Sequence, residues 1–423
     1  MPNVEIYTMP AANHKSLTIV IPTRERSDTL LYTIKTCVAQ SYENLTILIV
    51  DNFSQDDTSA IVKSFSDQRI SYINSGRRLS MSVNWEFALS QVESDYVMFL
   101  GDDDGVLPGA VVDLMALVAD TESVDAITWP SVDYGWPSCP NQYLRNIIVI
   151  PLGNGIERRR TAEVLSDVIS FKRPYSELPF IYKGLVKTEA VKKLRAASGG
   201  TVFHSMIPDV YFGISSCAVI DNYLYSFRPY TLNGASSHSN GTASFSRTEG
   251  KKAEQIFLAE DNIKFHSTLL FCPSIPILVT ESLLQAKLRL SSLEKYSIDI
   301  DATVTAAIAQ LKRAEVNVFV TVMAALHHIS KAEALRPETK HALASASNRP
   351  FYATERVFGI DIFNKRYVVN CNEFEIEDCF AATIQADFVL KLNRNNQLSI
   401  IEAVKNGAKL IRRELTKRKG WFQ

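Results

Sequence analysis

The sequence has little that would mark it for a special environment. It holds six cysteines in 423 residues, Cys37, Cys139, Cys217, Cys272, Cys371 and Cys379, and no two form a C-x-x-C pair. That scatter argues against a zinc site or a disulfide framework and predicts reduced, mostly buried thiols. Neither sign of charge is in excess: 45 Lys and Arg face 46 Asp and Glu, a formal net charge of −1. A chain without a basic surplus has no general electrostatic case for binding nucleic acid. No run approaches the roughly 20 apolar residues that span a bilayer. The opening "MPNVEIYTMPAANHK" lacks the apolar core of a secretory signal, so the chain is expected to be cytoplasmic. Internal repeats are missing as well. What remains is an ordinary globular composition, 46% hydrophobic and 22% charged, at a length that predicts about two or three domains.

What is present is alternation. "LTIVIP" (Leu17 to Pro22) and "LTILIVD" (Leu45 to Asp51) are short apolar runs that predict buried strands. "SDTLLYTIKTCVAQ" sets Leu30, Leu31, Ile34 and Val38 at helical spacing behind Ser27 and Asp28, which are expected to cap it. "DDTSAIVKSF" predicts a second helix with Asp56 or Asp57 at its N-cap, and "ISYIN", "SVNWEFALS", "YVMFL", "GAVVDLMALVA" and "DAITW" continue the pattern. Such alternation predicts right-handed βαβ units in a mostly parallel sheet, with any ligand beyond the carboxyl ends of the strands. From about Asn233 to Lys252 the chain is rich in Ser, Gly, Asn and Thr and reads as a loop. "ESLLQAKLRLSSLEKY" and the long run from Val304 to Leu335 then predict helices, while "FYATERVFGIDIF" and "RYVVNCNEFEIEDCF" look partly strand-like. The expected division is 1–245 as an α/β domain, 250–345 as a helical region and 346–423 as a mixed α/β region.

One stretch carries chemistry. "FLGDDDGVLP" follows an apolar strand with three adjacent carboxylates, Asp102, Asp103 and Asp104, whose mutual repulsion needs a cation or solvent to offset it. Asp51 likewise falls just past a strand end. Alone, such a run is most often a solvated turn; at a strand end in this order of elements it predicts a site.

The residues from Leu17 to Thr58 and from Asn84 to Pro108 together resemble the family-2 glycosyltransferases, which have the GT-A fold. Shared features are a strand ending in Pro, a helix ending near a Gln, a strand ending in Asp, and an Asn-bearing helix before the strand that leads into a D-x-D motif. The resemblance covers about 16–130 and continues weakly to about 240. It implies a GT-A (Rossmann-like, mostly parallel) domain followed by a mainly helical C-terminal region. It also implies an inverting, metal-dependent hexosyltransferase that moves a sugar from a nucleotide-diphospho donor, a UDP-sugar first among them, to a saccharide or lipid-linked acceptor. Assembly of surface polysaccharide is a common setting of the family. In this reading Asp104 is the first choice to hold Mn²⁺ or Mg²⁺, with Asp102, or Asp103 in its place, nearer the ribose or metal. Gly101 stands where many relatives carry Asp. Asp51 would meet the base, Pro22, Thr23 and Arg24 would line the nucleobase side, and Asn84 matches the helix asparagine. Arg77 or Arg78 would meet the diphosphate. Asp209 in "IPDVYFG" would be the general base, His238 in "GASSHSNG" a further metal or diphosphate contact, and His204 structural.

Two rival functions stand beside it. "DDDGVL" also fits the nucleophile motif of haloacid-dehalogenase-like phosphatases, with Asp102 as nucleophile and Asp104 as acid/base, although that motif normally opens its fold. The chain could also be a non-catalytic nucleotide-sugar-binding scaffold. The tail "KNGAKLIRRELTKRKGWFQ" carries seven Lys/Arg against one Glu and reads as a basic amphipathic helix. Such a helix suits either packing on the domain or peripheral contact with an anionic membrane surface.

Overall fold

The computed structural model describes residues 15–238, 263–347 and 358–398, apart from positions 122, 313, 362 and 396. The predicted alternation appears as β1 (Leu17–Thr23), α1 (Ser27–Val38), β2 (Leu45–Asp51), α2 (Thr58–Lys63), β3 (Ile70–Asn74), α3 (Met81–Leu89), β4 (Tyr96–Phe99), β5 (Gly105–Val106), α4 (Ala110–Asp120) and β6 (Ala126–Thr128). Next come β7 (Val132–Gly135), β8 (Ile147–Pro151), β9 (Ile156–Arg160), α5 (Thr161–Ile169), β10 (Leu185–Lys187), α6 (Thr188–Ala197), α7 (Pro208–Ser215), β11 (Asn222–Ser226) and β12 (Thr231–Ala235). Helices α8 (Ile275–Lys287), α9 (Ile300–Leu311), α10 (Val316–Ala332) and α11 (Pro337–Ala344) follow, then β13 (Gly359–Asp361), β14 (Arg366–Asn370) and α12 (Cys379–Arg394).

The first sheet has eight strands in the order β3-β2-β1-β4-β10-β6-β11-β9. Its β3-β2-β1-β4 half is parallel throughout. Those strands read as unbroken apolar runs because both faces are covered and side chains alternate between them. Ile19 and Ile21 of β1, Ile47 and Ile49 of β2 and Met98 of β4 enter one core with Leu30 and Ile34 of α1. Val20, Leu48, Val50, Val97 and Phe99 enter the other, with Trp85 of α3 and Tyr211 of α7. α1 buries Leu30, Ile34 and Cys37, at the spacing of one helical face. Gln40 just past it donates to the Thr36 carbonyl at 3.0 Å and the Leu107 carbonyl at 3.2 Å, tying the helix end to the loop beyond the acidic run.

Several expectations change on contact with tertiary structure. Ser27 and Asp28 do not cap α1: Arg26 takes the N-cap position without a side-chain cap bond, and the Ser27 N–H donates to Asp56 Oδ2 at 2.9 Å instead. The stretch from Asn233 is not all loop, since β12 runs through Ala235 in a second sheet of order β13-β14-β8-β7-β12-β5. Residues 358–398 do not form a separate body. β14 pairs antiparallel with β8, and α12 packs on α1 so that Thr383 Cγ2 would lie 2.8 Å from a Cβ at Gly105. Helices α8–α11 hold their own apolar cluster around Ile277, Val304, Val322, Leu326 and Leu343. The basic tail, from Ile400 onward, lies outside the described residues. Among the described residues no helix is long and apolar enough to cross a membrane, and all six cysteines are free thiols, five of them buried.

Candidate active site

The carboxyl ends of β1, β2 and β4 meet at one place. β1 and β2 run in register so that Thr23 pairs with Asp51, and the Leu100 N–H beyond β4 donates to the Val20 carbonyl at 2.9 Å. Asp51 is buried and accepts from the Ser54 N–H at 2.9 Å, Tyr72 Oη at 2.6 Å and Asn74 Nδ2 at 2.8 Å. A carboxylate accepts at about four lone-pair positions, so one is left for a ligand N–H. Asn52 clasps Leu79 through reciprocal bonds of 2.8 Å, which sets the start of α3 against the end of β2. Asn84, one turn into α3, is buried with its Oδ1 unpartnered.

The acidic run is not solvated. Asp102, Asp103 and Asp104 are all buried, Asp104 completely. Asp102 Oδ1 accepts from Arg26 Nη1 at 2.8 Å, while the buried Asp102 Oδ2 has, among the described residues, no hydrogen-bond donor near it but the Thr23 hydroxyl. Burial pushes the Asp102 carboxyl up, against the opposing pull of Arg26 and with a further push from Asp103. Burial would lower the Arg26 guanidinium, but its charges Asp102 and Asp103 outweigh that and hold it above the usual value. Asp103 turns toward β12: Ser236 Oγ donates to Asp103 Oδ2 at 2.7 Å, and Trp136 Nε1 donates to the Asp103 carbonyl at 2.9 Å.

Asp104 is the most committed of the three. Its Oδ2 accepts from Tyr182 Oη at 2.7 Å and the Gly101 N–H at 2.9 Å, and its Oδ1 accepts from the Gly234 N–H at 2.7 Å. Lys183 Nζ stands 3.8 Å from Oδ2. Burial still pushes this carboxyl up, with Lys183 the main opposing influence. Two chain pairings create the arrangement. Phe99 bridges Tyr182 beside β4, and β5 pairs with β12 so that Gly105 faces Leu232. Lys183 takes a left-handed backbone, φ +59°, and its ammonium also bonds Asn233 Oδ1 and lies 4.1 Å from the Tyr182 ring centroid.

Asp209 lies in the first turn of α7 behind Pro208, where its own N–H and that of Val210 face the carboxylate. Burial nevertheless pushes it up, opposed by those N–H groups and by Lys183, and its charge in turn acts on Tyr182. The helix start is held from the far side by Glu281 of α8. This fully buried carboxyl accepts from Ser205 Oγ at 2.6 Å and is itself pushed up by burial.

The expected residues divide accordingly. Thr23, Asp51, Asp102, Asp103 and Asp104 converge at the strand ends, with half-buried Pro22 just before Thr23 in β1, half-buried Arg24 just after it, and Asp209 within electrostatic reach of Lys183. Arg77 is exposed, and Arg78 is ion-paired with Glu25, whose carboxylate also accepts from the Gln55 and Asp56 N–H groups at 3.1 Å. The His238 ring faces Asp28, Nε2 to Oδ2 3.6 Å, while its carbonyl accepts from Arg26. His204 bonds backbone carbonyls of Ser198 and Thr201 at 3.1 Å, a structural role. Sequence reading missed Arg26, Tyr182, Lys183 and Ser236; only Arg26, in "PTRERSD", had a sequence signal, its place in the loop after β1.

A divalent cation, which the family resemblance implies, needs carboxylate oxygens that other donors leave open. Asp104 fits poorly, because the Lys183 ammonium stands 3.8 Å from Oδ2 and protein donors fill three of its acceptor positions. Asp102 fits, with one buried oxygen that only the Thr23 hydroxyl approaches among the described residues. Among the described residues no cluster of three or more His, Cys, Asp or Glu side chains is arranged around a metal position. Mg²⁺ is commonly held by one or two carboxylates plus substrate phosphates, so one carboxylate suffices for a cation that arrives with its nucleotide.

The family model described as "Glycosyl transferase family 2" matches residues 18–179. A GalNAc(5)-diNAcBac-PP-undecaprenol beta-1,3-glucosyltransferase of Campylobacter jejuni is 34% identical over 102 residues, 23% of this chain and 33% of that one. The UDP-Glc:alpha-D-GlcNAc-diphosphoundecaprenol beta-1,3-glucosyltransferase WfaP of Escherichia coli is 31% identical over 88 residues, 21% of this chain and 35% of that one. The chain thus spans about one third of the length of the curated relatives it matches. Among solved structures, S. aureus TarS 1-349 overlaps 75% of this chain and 87% of its own at 15% identity and a TM-score of 0.39, too low to transfer residue roles. Residues 18–179, which build the β3-β2-β1-β4 half of the first sheet and the strand-end site, are thus similar to glycosyl transferase family 2.

Proposed function

We propose that the chain transfers a sugar from a nucleotide-diphospho donor, a UDP-sugar first among the candidates, to a hydroxyl of a lipid-linked saccharide, with inversion at the anomeric carbon. The observation that carries this reading is the buried Asp102 carboxylate at the strand ends, whose Oδ2 has no hydrogen-bond donor near it but the Thr23 hydroxyl. A buried carboxylate oxygen short of donors costs about 1–3 kcal/mol, which a donor hydroxyl or a cation recovers on binding. The names of the two curated relatives, both acting on undecaprenol-linked saccharides, support a lipid-linked acceptor.

In this reading Asp51 uses its remaining lone pair for the base N–H, and Arg26 fixes Asp102 beneath the ribose and diphosphate. Asp102 would hold a Mg²⁺ or Mn²⁺ ion that arrives with the donor, and such an ion would offset the negative charge of the leaving diphosphate. Asp209 takes the acceptor hydroxyl proton as that oxygen bonds the anomeric carbon. The carbon–oxygen bond to the diphosphate breaks, and its electron pair leaves with the diphosphate. A carboxylate raised by burial suits this task, since a general base works best with a pKa near the operating pH. The phosphatase alternative needs Asp104 as a free acid/base, and its bonds to Tyr182, Gly101 and Gly234 weigh against that.

The test is a thermal-shift panel of UDP, GDP, dTDP and CMP, each with and without Mn²⁺, on wild type and Asp102→Asn. Stabilisation by one nucleotide that needs Asp102 supports the reading and names the base. No shift with any nucleotide, in either metal condition, refutes it.

A further inference from the structure

Sugar transfer as read above depends on where Asp209 stands, and its own helix does little to fix that. α7 is only eight residues long, begins at Pro208 and has no side-chain cap. The first turn of so short a helix opens readily unless groups outside it hold it, and Asp209 lies in that turn. The holding groups come from two other helices. From α3, Glu86 Oε2 accepts from the Val202 and Phe203 N–H groups at 2.9 and 3.2 Å, and Ser82 Oγ donates to the Ser205 carbonyl. From α8, Glu281 Oε2 accepts from Ser205 Oγ at 2.6 Å, and that hydroxyl oxygen accepts from the Ile207 N–H at 3.3 Å. Ile207 is the N-cap residue of α7, and its carbonyl takes the Tyr211 N–H at 3.1 Å.

Glu281 and Ser205 are both fully buried. Around them Val279, Leu283 and Ala286 of α8 share one apolar core with Val210, Phe212 and Ile214 of α7. Such packing joins two helices but is non-directional, so it does not by itself set how one is turned against the other. The carboxylate adds direction. Ser205 Oγ, Gln285 Nε2 at 2.9 Å and the His266 N–H all donate to it, which makes its burial tolerable. A separation of 2.6 Å suits a hydroxyl donating to an ionised carboxylate. With its one proton turned to α8, the Ser205 oxygen presents its lone pairs to Ile207. Both residues lie beyond position 179, where the family match ends.

We propose that Glu281 is a positioning residue for sugar transfer: through the Ser205 hydroxyl and the Ile207 N–H it fixes the first turn of α7 and with it Asp209. The helical region that opens with α8 is then a working part of the active site. The proposal rests on Asp209 acting as the base. A misplacement of about 1 Å can cost about 10²-fold in rate, because base, attacking oxygen and anomeric carbon must stay aligned. The donor is bound at the ends of β1, β2 and β4, away from this relay. A break in the relay therefore lowers kcat and leaves donor affinity in place.

The experiment follows diphosphate release from UDP-glucose, or from a sugar of whichever nucleotide the thermal-shift panel selects. It uses the full chain with water as acceptor, beside the dissociation constant of the free nucleotide. Glu281→Ala is expected to lower kcat about tenfold or more while nucleotide affinity stays within about threefold of wild type. Glu281→Gln keeps an acceptor oxygen for Ser205 and should hold kcat within about threefold of wild type. Ser205→Ala/Glu281→Ala should be no slower than the slower single variant, because the two residues act as one unit. If Glu281→Ala does not fold, Ser205→Ala/Glu281→Gln breaks the relay without leaving a buried charge, and the same loss of kcat is expected. A folded relay-breaking variant with kcat within about threefold of wild type overturns the proposal. So does one that loses nucleotide affinity as much as kcat, or a Glu281→Gln as slow as the relay-breaking variant; in each case the donor and base readings stand. An Asp209→Asn protein that keeps wild-type release, or a wild type that releases no diphosphate from any donor, overturns the base reading and this proposal with it.

Discussion

Gly234 offers the sharpest test of how the acidic run is held. A Cβ at this position would lie 1.8 Å from the Asp103 carbonyl oxygen, 2.7 Å from its carbon and 2.8 Å from Trp136 Nε1. Real contacts of that kind stay beyond 3.0 Å, so Gly234→Ala forces β12 and the run apart by more than an ångström. β12 cannot simply slide, because it pairs with β7 from Leu232 to Ala235 and with β5 at Thr231 and Leu232. Two hydrogen bonds are at risk: Gly234 N–H to Asp104 Oδ1 at 2.7 Å and Trp136 Nε1 to the Asp103 carbonyl at 2.9 Å. Overpacking of this kind costs about 1–3 kcal/mol. A hydrogen bond to a charged group is worth about 1.5–3 kcal/mol, and Asp104 would lose one while fully buried. The sum, about 2.5–6 kcal/mol, is a large share of the 5–15 kcal/mol that stabilises a typical domain. Urea unfolding followed by tryptophan fluorescence reads it directly, since Trp136 lies at the contact. Gly213→Ala is the control, because its nearest neighbour would be Phe180 Cδ2 at 3.2 Å, a side-chain contact rather than backbone; its expected change is within about 1 kcal/mol. A Gly234→Ala protein within about 0.5 kcal/mol of wild type, the usual range for an inconsequential substitution, would refute the packing argument.

Asp209→Asn is expected to cut sugar transfer about 10²–10⁴-fold, the usual contribution of a general base, while the melting temperature holds or rises because a desolvated carboxylate has become a neutral amide; a melting temperature that falls with activity would make Asp209 structural. Its raised pKa fixes the sign of the pH dependence: the carboxylate's effect on stability is fully favourable below the ordinary aspartate pKa and is lost as pH rises through the raised value, whereas activity needs the ionised form. The acidic limb of kcat/KM should therefore lie above the ordinary aspartate range, and a limb at or below that range would exclude Asp209 as the base. Arg26→Met leaves Asp102 buried without its cation and should cost about 3–5 kcal/mol in denaturant unfolding, with part recovered in the Arg26→Met/Asp102→Asn double variant. Finally, burial pushes the Cys37 and Cys371 thiols up to about 12, so both should resist an aromatic disulfide reagent until the protein unfolds; fast labelling of either in the native state would contradict their burial.

Much of the fold was legible because local pattern and tertiary outcome coincide. The apolar run at Leu17 ends at Pro22, one residue before β1 does, the run at Leu45 ends with β2 at Asp51, and Leu30 and Ile34 fall on the buried face of α1. Covered on both faces, such strands have one way to be read. The second sheet was not legible. β12 passes through "TLNGA", whose composition signals a loop, and its glycine is explained only by the Asp103 carbonyl packed against it. The reach of residues 358–398 back to β8 and α1 left no local trace either.

The sequence by itself determined the alternating parallel architecture, the strand-end position of Asp51 and the acidic run, and a carboxylate at the head of α7. It could not rank Asp102, Asp103 and Asp104, which are identical in type and adjacent. Tertiary structure decided that. Tyr182 reaches Asp104 across 78 positions and the Gly234 N–H across 130, while Arg26 comes to Asp102 across 76. A carboxylate's role depends on which donors and charges share its low-dielectric surroundings, and those come from chain segments whose approach no local periodicity encodes.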